Sequence, residues 1–232
     1  MSTGKMPIVP VTITASFDEA VEALAKGGKV LYTGKTAKSA KSHFKPVFWS
    51  TGHFKRANTE LSSLGYNVRA DHPALRGFPT DDWADWQWYN LVEGGVKHGL
   101  ASIPDFEPIV MPVPDLHYST FMGMLFELKV GDGQLMVCGL NLSDQTKPEV
   151  CAMRASILSY MESQDFNPAF SIETGKFKEA FAPTKKNGIG AKRWRRRVRR
   201  GKLDWLRLRP IAANAIDKSV FCRCCSLKRF VA

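Results

Sequence analysis

The feature that most constrains the fold is a pair of apolar segments on either side of a glycine turn. The segments read FMGMLFELKV and QLMVCGLNL, and Gly131-Asp132-Gly133 lies at their junction. Glycine and aspartate at such a junction favour positive φ angles, which tight hairpin turns require. The sequence therefore predicts two antiparallel β-strands, and any fold of this chain has to include this hairpin.

Helix and strand signals alternate along the N-terminal part of the chain. Ser16 to Glu19 has the form of a capping box, in which the serine accepts from a free amide and the glutamate reaches back. The apolar positions that follow fall on one helical face: Phe17, Ala20, Val21 and Leu24. Short apolar strands are then predicted at KVLYTG, KPVFWSTGHF, LGYNVR and FEPIVMPVPD, with a final helix from Glu149 to Ser163. This order is an α/β rhythm.

The basic residues are concentrated in the last fifty positions. The chain has 33 Lys and Arg against 22 Asp and Glu, a net charge of +11. Of these, 16 basic and 2 acidic residues lie between Pro183 and Ala232, so residues 1–182 hold 17 basic and 20 acidic residues. The body is therefore mildly acidic, and its own charge does not predict binding to nucleic acid.

The arginine-dense segment KRWRRRVRRGK has three interpretations. It could track a phosphate backbone while a tryptophan stacks on bases, with these candidate contacts: Arg193, Trp194, Arg195, Arg196 and Arg197. Runs of like charge are also typical of disordered tails. The third interpretation is a shifted reading frame or read-through, because the segment starts abruptly and closes on CRCC. We favour a disordered or out-of-frame tail at 176–232, keep nucleic-acid binding through it as the alternative, and expect an α/β domain at 1–175.

Five segments resemble, in order, the C-terminal accessory domain of bacterial family 2 glycoside hydrolases, the β-galactosidase-like enzymes. They are KPVFWSTGHF, DHPALRGFPTDDWADWQWYNL, PIVMPVPD, MGMLFELKVGDGQLMVCGLNL and SILSYMESQDFNP, and they span roughly residues 11–169. The resemblance implies a three-layer α/β domain similar to flavodoxins and class I glutamine amidotransferases. We therefore predict a mostly parallel central sheet with flanking helices and with the hairpin at its edge.

The resemblance also implies what this chain lacks. Family 2 hydrolysis uses two glutamates on a (β/α)8 barrel, which typically needs about 250 residues. The body shows no eightfold alternation of strand and helix, and the catalytic glutamates have no counterpart positions in it. We therefore expect a fragment that is a non-catalytic accessory domain, inactive by itself and without a cofactor. Its expected partner is the catalytic barrel or a sister subunit, and the related enzymes are often periplasmic or extracellular.

The stretch DDWADWQWYNL, Asp81 to Leu91, is open to two interpretations. Aromatic side chains usually anchor cores or domain interfaces, which is the reading we favour, but rows of exposed aromatics also bind sugar rings. The candidate carbohydrate or interface contacts are Trp49, His53, Trp83, Trp86 and Trp88. We expect a helix to begin near Asp81 or Asp82, where acidic residues suit the positive end of the helix dipole, rather than an acid–base pair.

The remaining reactive residues predict no catalytic or metal centre. Cys138 lacks the Gly-x-Cys-x-Gly turn of an amidotransferase nucleophile, and no histidine follows it, so we expect a buried structural thiol. The five histidines show no ligand spacing, and Cys222, Cys224 and Cys225 lack a second pair of ligands. No apolar run approaches the ~20 residues that span a bilayer, and the first residues do not have the pattern of a signal peptide.

Overall fold

The computed structural model divides the chain into two units, Met1–Thr184 and Lys185–Ala232. It describes residues 10–44, 63–103, 106–114 and 121–183, all of which belong to the first unit. The predicted strand around Trp49 and the whole basic tail therefore lie outside the described residues.

The described residues form one large sheet and one small sheet. The strands are β1 (Val11–Thr14), β2 (Lys29–Tyr32), β3 (Ser39–Lys41), β4 (Gly65–Val68), β5 (Val96–Gly99), β6 (Val110–Val113), β7 (Met122–Gly123), β8 (Leu125–Val130), β9 (Gly133–Cys138) and β10 (Ser171–Ile172). The large sheet has the order β1-β2-β9-β8-β6-β4, and β10 pairs with the end of β8. The small antiparallel sheet has the order β3-β5-β7.

Helices surround the large sheet. The described α-helices are α1 (Phe17–Ala25), α2 (Tyr89–Val92), α3 (Pro148–Glu162) and α4 (Thr174–Phe181), and short 3-10 helices occupy Pro73–Leu75 and Trp86–Trp88. The body is thus a mixed α/β domain, as the alternation of signals predicted.

The strand directions correct two details of the predicted sheet. Strands β1, β2 and β9 run parallel, whereas β8, β6 and β4 pair antiparallel along the other half. The sheet is therefore mixed rather than mostly parallel. The hairpin is confirmed as antiparallel, and Gly131 has the positive φ of +58° that its turn needs. However, β9 and β8 are the two central strands of the sheet, so the predicted edge position is wrong.

The predicted first helix is confirmed together with its N-terminal cap. The Ser16 hydroxyl accepts from the amide of Glu19 at 3.4 Å, which satisfies one of the free donors of the first turn. Glu19 does not return to the backbone of Ser16. It accepts instead from the hydroxyl of Thr14, whose oxygen accepts the Ser16 amide at 3.0 Å. A threonine at the end of β1 thus completes the cap.

Two hydrophobic cores cover opposite faces of the sheet, because successive side chains of a strand point to opposite sides. On β9, Met136 and Cys138 enter the first core, whereas Leu135 and Val137 enter the second. Helix α3 closes the first core with the four apolar side chains that its sequence predicted: Val150, Met153, Ile157 and Met161. Helices α1 and α4 close the second core.

The body extends further than residue 175. Phe177 and Phe181 of α4 are buried in the second core, where Phe177 stacks on Phe17 of α1 with ring centroids 5.4 Å apart. The predicted boundary at 175 therefore falls inside α4. Sequence patterns locate this boundary poorly, because polar residues separate the two buried aromatic side chains, which lie four positions apart on one helical face.

Candidate functional site

The tryptophan-rich stretch begins as an extension of the large sheet. The amide of Val68 donates to the carbonyl of Asp82 at 2.9 Å, and the amide of Ala84 donates to the carbonyl of Tyr66 at 3.2 Å. These bonds place Trp83 opposite Asn67 of the edge strand β4. Residues 82–84 are thus extended, so the expected helix start at Asp81 or Asp82 is wrong, and helical structure begins at Trp86.

Trp88 anchors this stretch in the first core. It has no exposed surface, and its ring meets Phe78 edge-on with centroids 5.2 Å apart. Its indole N–H donates to the hydroxyl of Thr80 at 2.9 Å, which satisfies the buried polar atom. Gln87 also donates to the carbonyl of Pro79. Trp88 is unable to reach a ligand, so its inclusion among the candidate contacts is wrong and the core interpretation holds for this residue.

The other two tryptophans of the stretch are exposed. Trp86 is 85% exposed and Trp83 is 57% exposed, so neither is a core residue, and a place in a domain interface stays a prediction for both. Tyr89 is 42% exposed and lies one helical turn after Trp86. The half-buried ring of Phe44 contacts both, with centroids 6.3 Å from Trp86 and 5.5 Å from Tyr89. We name Phe44, Trp83, Trp86 and Tyr89 the aromatic surface.

A hydrogen-bonded glutamate holds Phe44 in place. Glu93, which follows α2, accepts from the amide of Phe44 at 3.0 Å with one carboxylate oxygen. Its other oxygen lies 3.0 Å from Nδ1 of His43. The carbonyl of His43 in turn accepts from the hydroxyl of Tyr66 at 2.8 Å. The aromatic surface is therefore fixed to the large sheet from two directions, by the buried Trp88 and by this network.

Carboxylates surround the aromatic surface. Asp81 and Asp82 are exposed, and Asp85 accepts from the indole N–H of Trp83 at 3.0 Å. Between Gly77 and Gly95 the sequence contains four acidic residues and no lysine, arginine or histidine. This edge of the domain therefore combines exposed aromatic rings with the neighbouring carboxylates of Asp81, Asp82 and Asp85.

The carboxyl ends of β2 and β9 are the edge at which open α/β sheets usually bind ligands. There the backbone of β5 lies directly against Gly139, whose carbonyl accepts from the amide of Val96 at 2.6 Å. A Cβ atom at Gly139 would lie 1.9 Å from the carbonyl oxygen of Val96, so only glycine fits. The small sheet thus fills the space immediately after β9.

Cys138 has the properties of a structural thiol. Its side chain is buried in the first core, and burial raises its thiol pKa to about 12. The histidine near this edge, His98, packs instead on Phe126 of the second core, on the other side of the sheet. Since nucleophilic cysteines need a lowered pKa and a nearby base, the arrangement does not activate this thiol. The predicted buried thiol is confirmed.

His72, Glu127 and Tyr160 form a polar cluster at the first core. Nδ1 of His72 accepts from the amide of Ala74 at 3.2 Å and so caps the 3-10 helix Pro73–Leu75. Its Nε2 lies 3.9 Å from the carboxylate of Glu127 on β8, and that carboxylate accepts from the hydroxyl of Tyr160 at 2.8 Å. Burial raises the pKa of Glu127 and lowers that of His72 to about 4.

The sequence did not single out Glu127, although a signal was present. It is the one acidic residue in the apolar segment FMGMLFELKV. A carboxylate that is turned towards a core needs hydrogen-bonding or charged partners, and Glu127 finds them in His72 and in Tyr160 of α3. This cluster connects three elements of the fold, so we interpret it as structural.

Several of the candidate contacts cannot be located. Trp49, His53, Arg193, Trp194, Arg195, Arg196 and Arg197 lie outside the described residues. Within the ranges that the structure does describe, no group of three or more His, Cys, Asp or Glu side chains could hold a metal ion. In the same ranges, no helix has the length and apolar character to cross a membrane.

Comparison with known proteins gives a family without an assigned activity. No curated protein matches this sequence. The family described as "Domain of unknown function (DUF8487)" matches residues 12–182, from β1 to the residue after α4. That range includes the aromatic surface and both hydrophobic cores and ends just before the basic tail. The chain therefore belongs to the DUF8487 family.

Proposed function

We propose that this chain is a non-catalytic accessory domain of a β-galactosidase-like family 2 glycoside hydrolase, and that it docks on the catalytic barrel or on a sister subunit. One observation carries the proposal: Trp86, Trp83 and Tyr89 are exposed by 85%, 57% and 42% on a stretch that is anchored to the core. Aromatic residues are enriched at protein interfaces, and Trp and Tyr dominate binding hot spots.

The size of this surface agrees with docking to a protein. With about 200 Å² for each aromatic side chain, the exposed fractions correspond to roughly 370 Å² of aromatic area. A standard interface buries about 800 Å² on each partner, of which somewhat more than half, roughly 450 Å², is non-polar. The aromatic surface would supply most of that non-polar area.

The fold supports the same proposal. Strand β1, helix α1 and strand β2 form a parallel βαβ unit that continues into β9, and helices cover both faces of the sheet. We therefore propose a three-layer, flavodoxin-like or amidotransferase-like ancestry, with the antiparallel half as a departure from it. The filled space beside Gly139 and the raised pKa of Cys138 favour a domain that has no catalytic centre at the usual edge.

The test is reconstitution with the proposed partner. The affinity-tagged chain is co-expressed with the product of a neighbouring reading frame that encodes a barrel. The molar mass of the purified complex is then measured by light scattering. Trp86→Ala should weaken the complex about 30-fold, as expected for a hot spot worth about 2 kcal/mol. Ile13→Ala is the matched control, because Ile13 is 45% exposed on β1 at the opposite edge of the sheet.

Two outcomes would contradict the proposal. One is the absence of a barrel-encoding frame near this one, or a barrel that does not bind the chain. The other is hydrolysis of a nitrophenyl galactoside by the purified chain, at a rate that survives removal of contaminants.

The exposure of Trp86, which Asp85 immediately precedes in the sequence, also favours a second candidate function, a carbohydrate-binding module. In that function a sugar ring would stack on the indole while the carboxylate accepts from its hydroxyl groups. Galactosides would then change the tryptophan fluorescence, and Trp86→Ala would abolish the change without unfolding the protein. A fluorescence that stays constant up to high millimolar lactose excludes this function.

A further inference from the structure

We infer that the surface that docks on the aromatic surface is basic and presents arginine side chains to Trp86 and the neighbouring aspartates. The inference rests on the proposed function and adds the chemistry of the partner. It follows from the charge around the aromatic rings, from their exposure and from their fixed positions.

The first step is the sign of the charge. Asp81, Asp82 and Asp85 precede or flank the exposed rings, and Asn90 of α2 connects this edge to Glu149 of α3 by a hydrogen bond. That hydrogen bond holds the pKa of Glu149 below its ordinary value, so the carboxylate stays ionised. A partner that buries this rim must supply positive charge, because unpaired carboxylates lose their hydration in an interface.

The second step is the choice of arginine. The face of an indole ring attracts cations, and arginine is the cation found there most often. Its planar guanidinium can stack on Trp86 and at the same time donate to an adjacent carboxylate. Trp86 offers 85% of its surface for such stacking, and Asp85 is the residue immediately before it. Lysine, as a point charge on a flexible stem, satisfies only one of these contacts well.

The third step excludes a second copy of the same surface. A symmetric dimer would bring the aromatic surface of one protomer against that of its partner. The Asp81, Asp82 and Asp85 carboxylates of both copies would then lie in one interface, and like charges brought close together cost free energy. A heterologous partner with a basic face has no such penalty.

The fourth step separates this partner from a neutral ligand. Attraction between exposed opposite charges is screened over about 10 Å at 0.1 M salt, so binding of a basic surface weakens as salt is added. A sugar that stacks on Trp86 carries no charge, and its affinity would be insensitive to salt. Salt dependence therefore discriminates between the two ligand classes at the same tryptophan.

The experiment is an NMR titration of the full chain that follows the indole N–H signal of Trp86, assigned by its loss in Trp86→Phe. The probes are a peptide in which three arginines alternate with glycine, the same peptide with glutamine in place of arginine, and lactose. The arginine peptide should bind at least about tenfold more tightly than the glutamine peptide, the equivalent of about 1.4 kcal/mol. Raising NaCl from 20 to 200 mM should weaken it severalfold.

Variants locate the interaction. Trp86→Ala should abolish the response of the neighbouring Tyr89 signals, and the triple change Asp81→Asn, Asp82→Asn and Asp85→Asn should weaken binding of the arginine peptide at least about fivefold. The control removes the same charge from exposed sites elsewhere: Asp132→Asn, Glu162→Gln and Glu179→Gln. This control should leave the affinity within about twofold of the original chain. Near-ultraviolet circular dichroism verifies the fold of each variant.

The inference is overturned if the arginine and glutamine peptides bind equally, or if the two triple variants behave alike. It is also overturned if lactose alone shifts the Trp86 signal, which indicates a sugar site, or if the chain self-associates through Trp86, which indicates a second copy. These readouts are independent of the barrel. If the barrel complex forms but the arginine peptide fails to bind, only the partner chemistry is wrong; if the barrel complex does not form, the proposed function is wrong.

Discussion

Acidification tests the packing of the second core through one buried histidine. His98 on β5 has no exposed surface, and its ring packs edge-on against Phe126. Its Nδ1 lies 3.1 Å from the hydroxyl of Thr36, and among the described residues its Nε2 has no hydrogen-bond partner. Burial lowers the pKa of His98 to about 4, because a protonated ring there would be a charge without compensation.

The size of the effect follows from proton linkage. A histidine in the unfolded chain has a pKa of about 6.5, so the unfolded state binds the proton more tightly than the folded state. The stability from neutral His98 is therefore complete above about pH 6.5 and is lost as the pH falls towards the folded pKa of about 4. Between pH 8 and pH 5 the expected loss is about 2 kcal/mol, an appreciable part of a typical stability of about 5–15 kcal/mol.

The assay is urea unfolding of the original chain and of His98→Gln at pH 8 and pH 5. The original chain loses about 2 kcal/mol for each of two histidines, because burial lowers the pKa of His72 to about 4 as well. The variant should lose about 2 kcal/mol less between the two pH values. Protonation of Glu127 opposes the loss equally in both proteins, since its pKa is raised. An equal pH dependence of the two proteins would refute the reasoning.

Three further predictions concern packing and are measured by chemical denaturation. Trp88→Ala should cost about 3–5 kcal/mol, because it empties a fully buried site, whereas Trp86→Ala should stay within about 0.5 kcal/mol; similar costs for both would contradict the assignment of their exposure. Gly139→Ala should cost about 3 kcal/mol or prevent folding, since its Cβ would overlap the Val96 carbonyl, and a neutral result would mean that the small sheet does not close this edge. Tyr160→Phe should cost about 1–3 kcal/mol by leaving the Glu127 carboxylate without its donor, and no loss would show that water replaces the hydroxyl.

Local patterns predicted the elements well because they depend on neighbouring residues alone. The N-cap at Ser16, the turn at Gly131 and the apolar face of α3 each require only a few positions in a fixed spacing. The place of the hairpin in the sheet depends on which strand adds beside β9 and which beside β8. That choice is made by tertiary contacts between distant segments, so sequence spacing does not contain it.

The burial or exposure of each tryptophan in this stretch was predictable only in part. The three indoles lie at positions 83, 86 and 88, and we expected a helix from Asp81 or Asp82 with the indoles packed in a core or a domain interface. In the structure, residues 82–84 pair with β4 and helical structure starts only at Trp86. Trp86 and Tyr89 then share one side, and Trp88 points to the other. The decisive signal, a polar partner for a buried indole, was present in Thr80 but recognisable only once the loop geometry was known.

Within this stretch some residues are anchored to the fold and others are exposed. Trp88 and the Glu93 carboxylate fix the backbone, so Trp86 and Tyr89 are presented from a rigid element rather than from a loose loop. Rings that are already fixed lose little conformational entropy on binding, which raises affinity for a given buried area. The Asp81, Asp82 and Asp85 carboxylates would meanwhile oppose pairing of the surface with its own copy. These two features, fixed rings and neighbouring carboxylates, are the ones on which the proposed docking site rests.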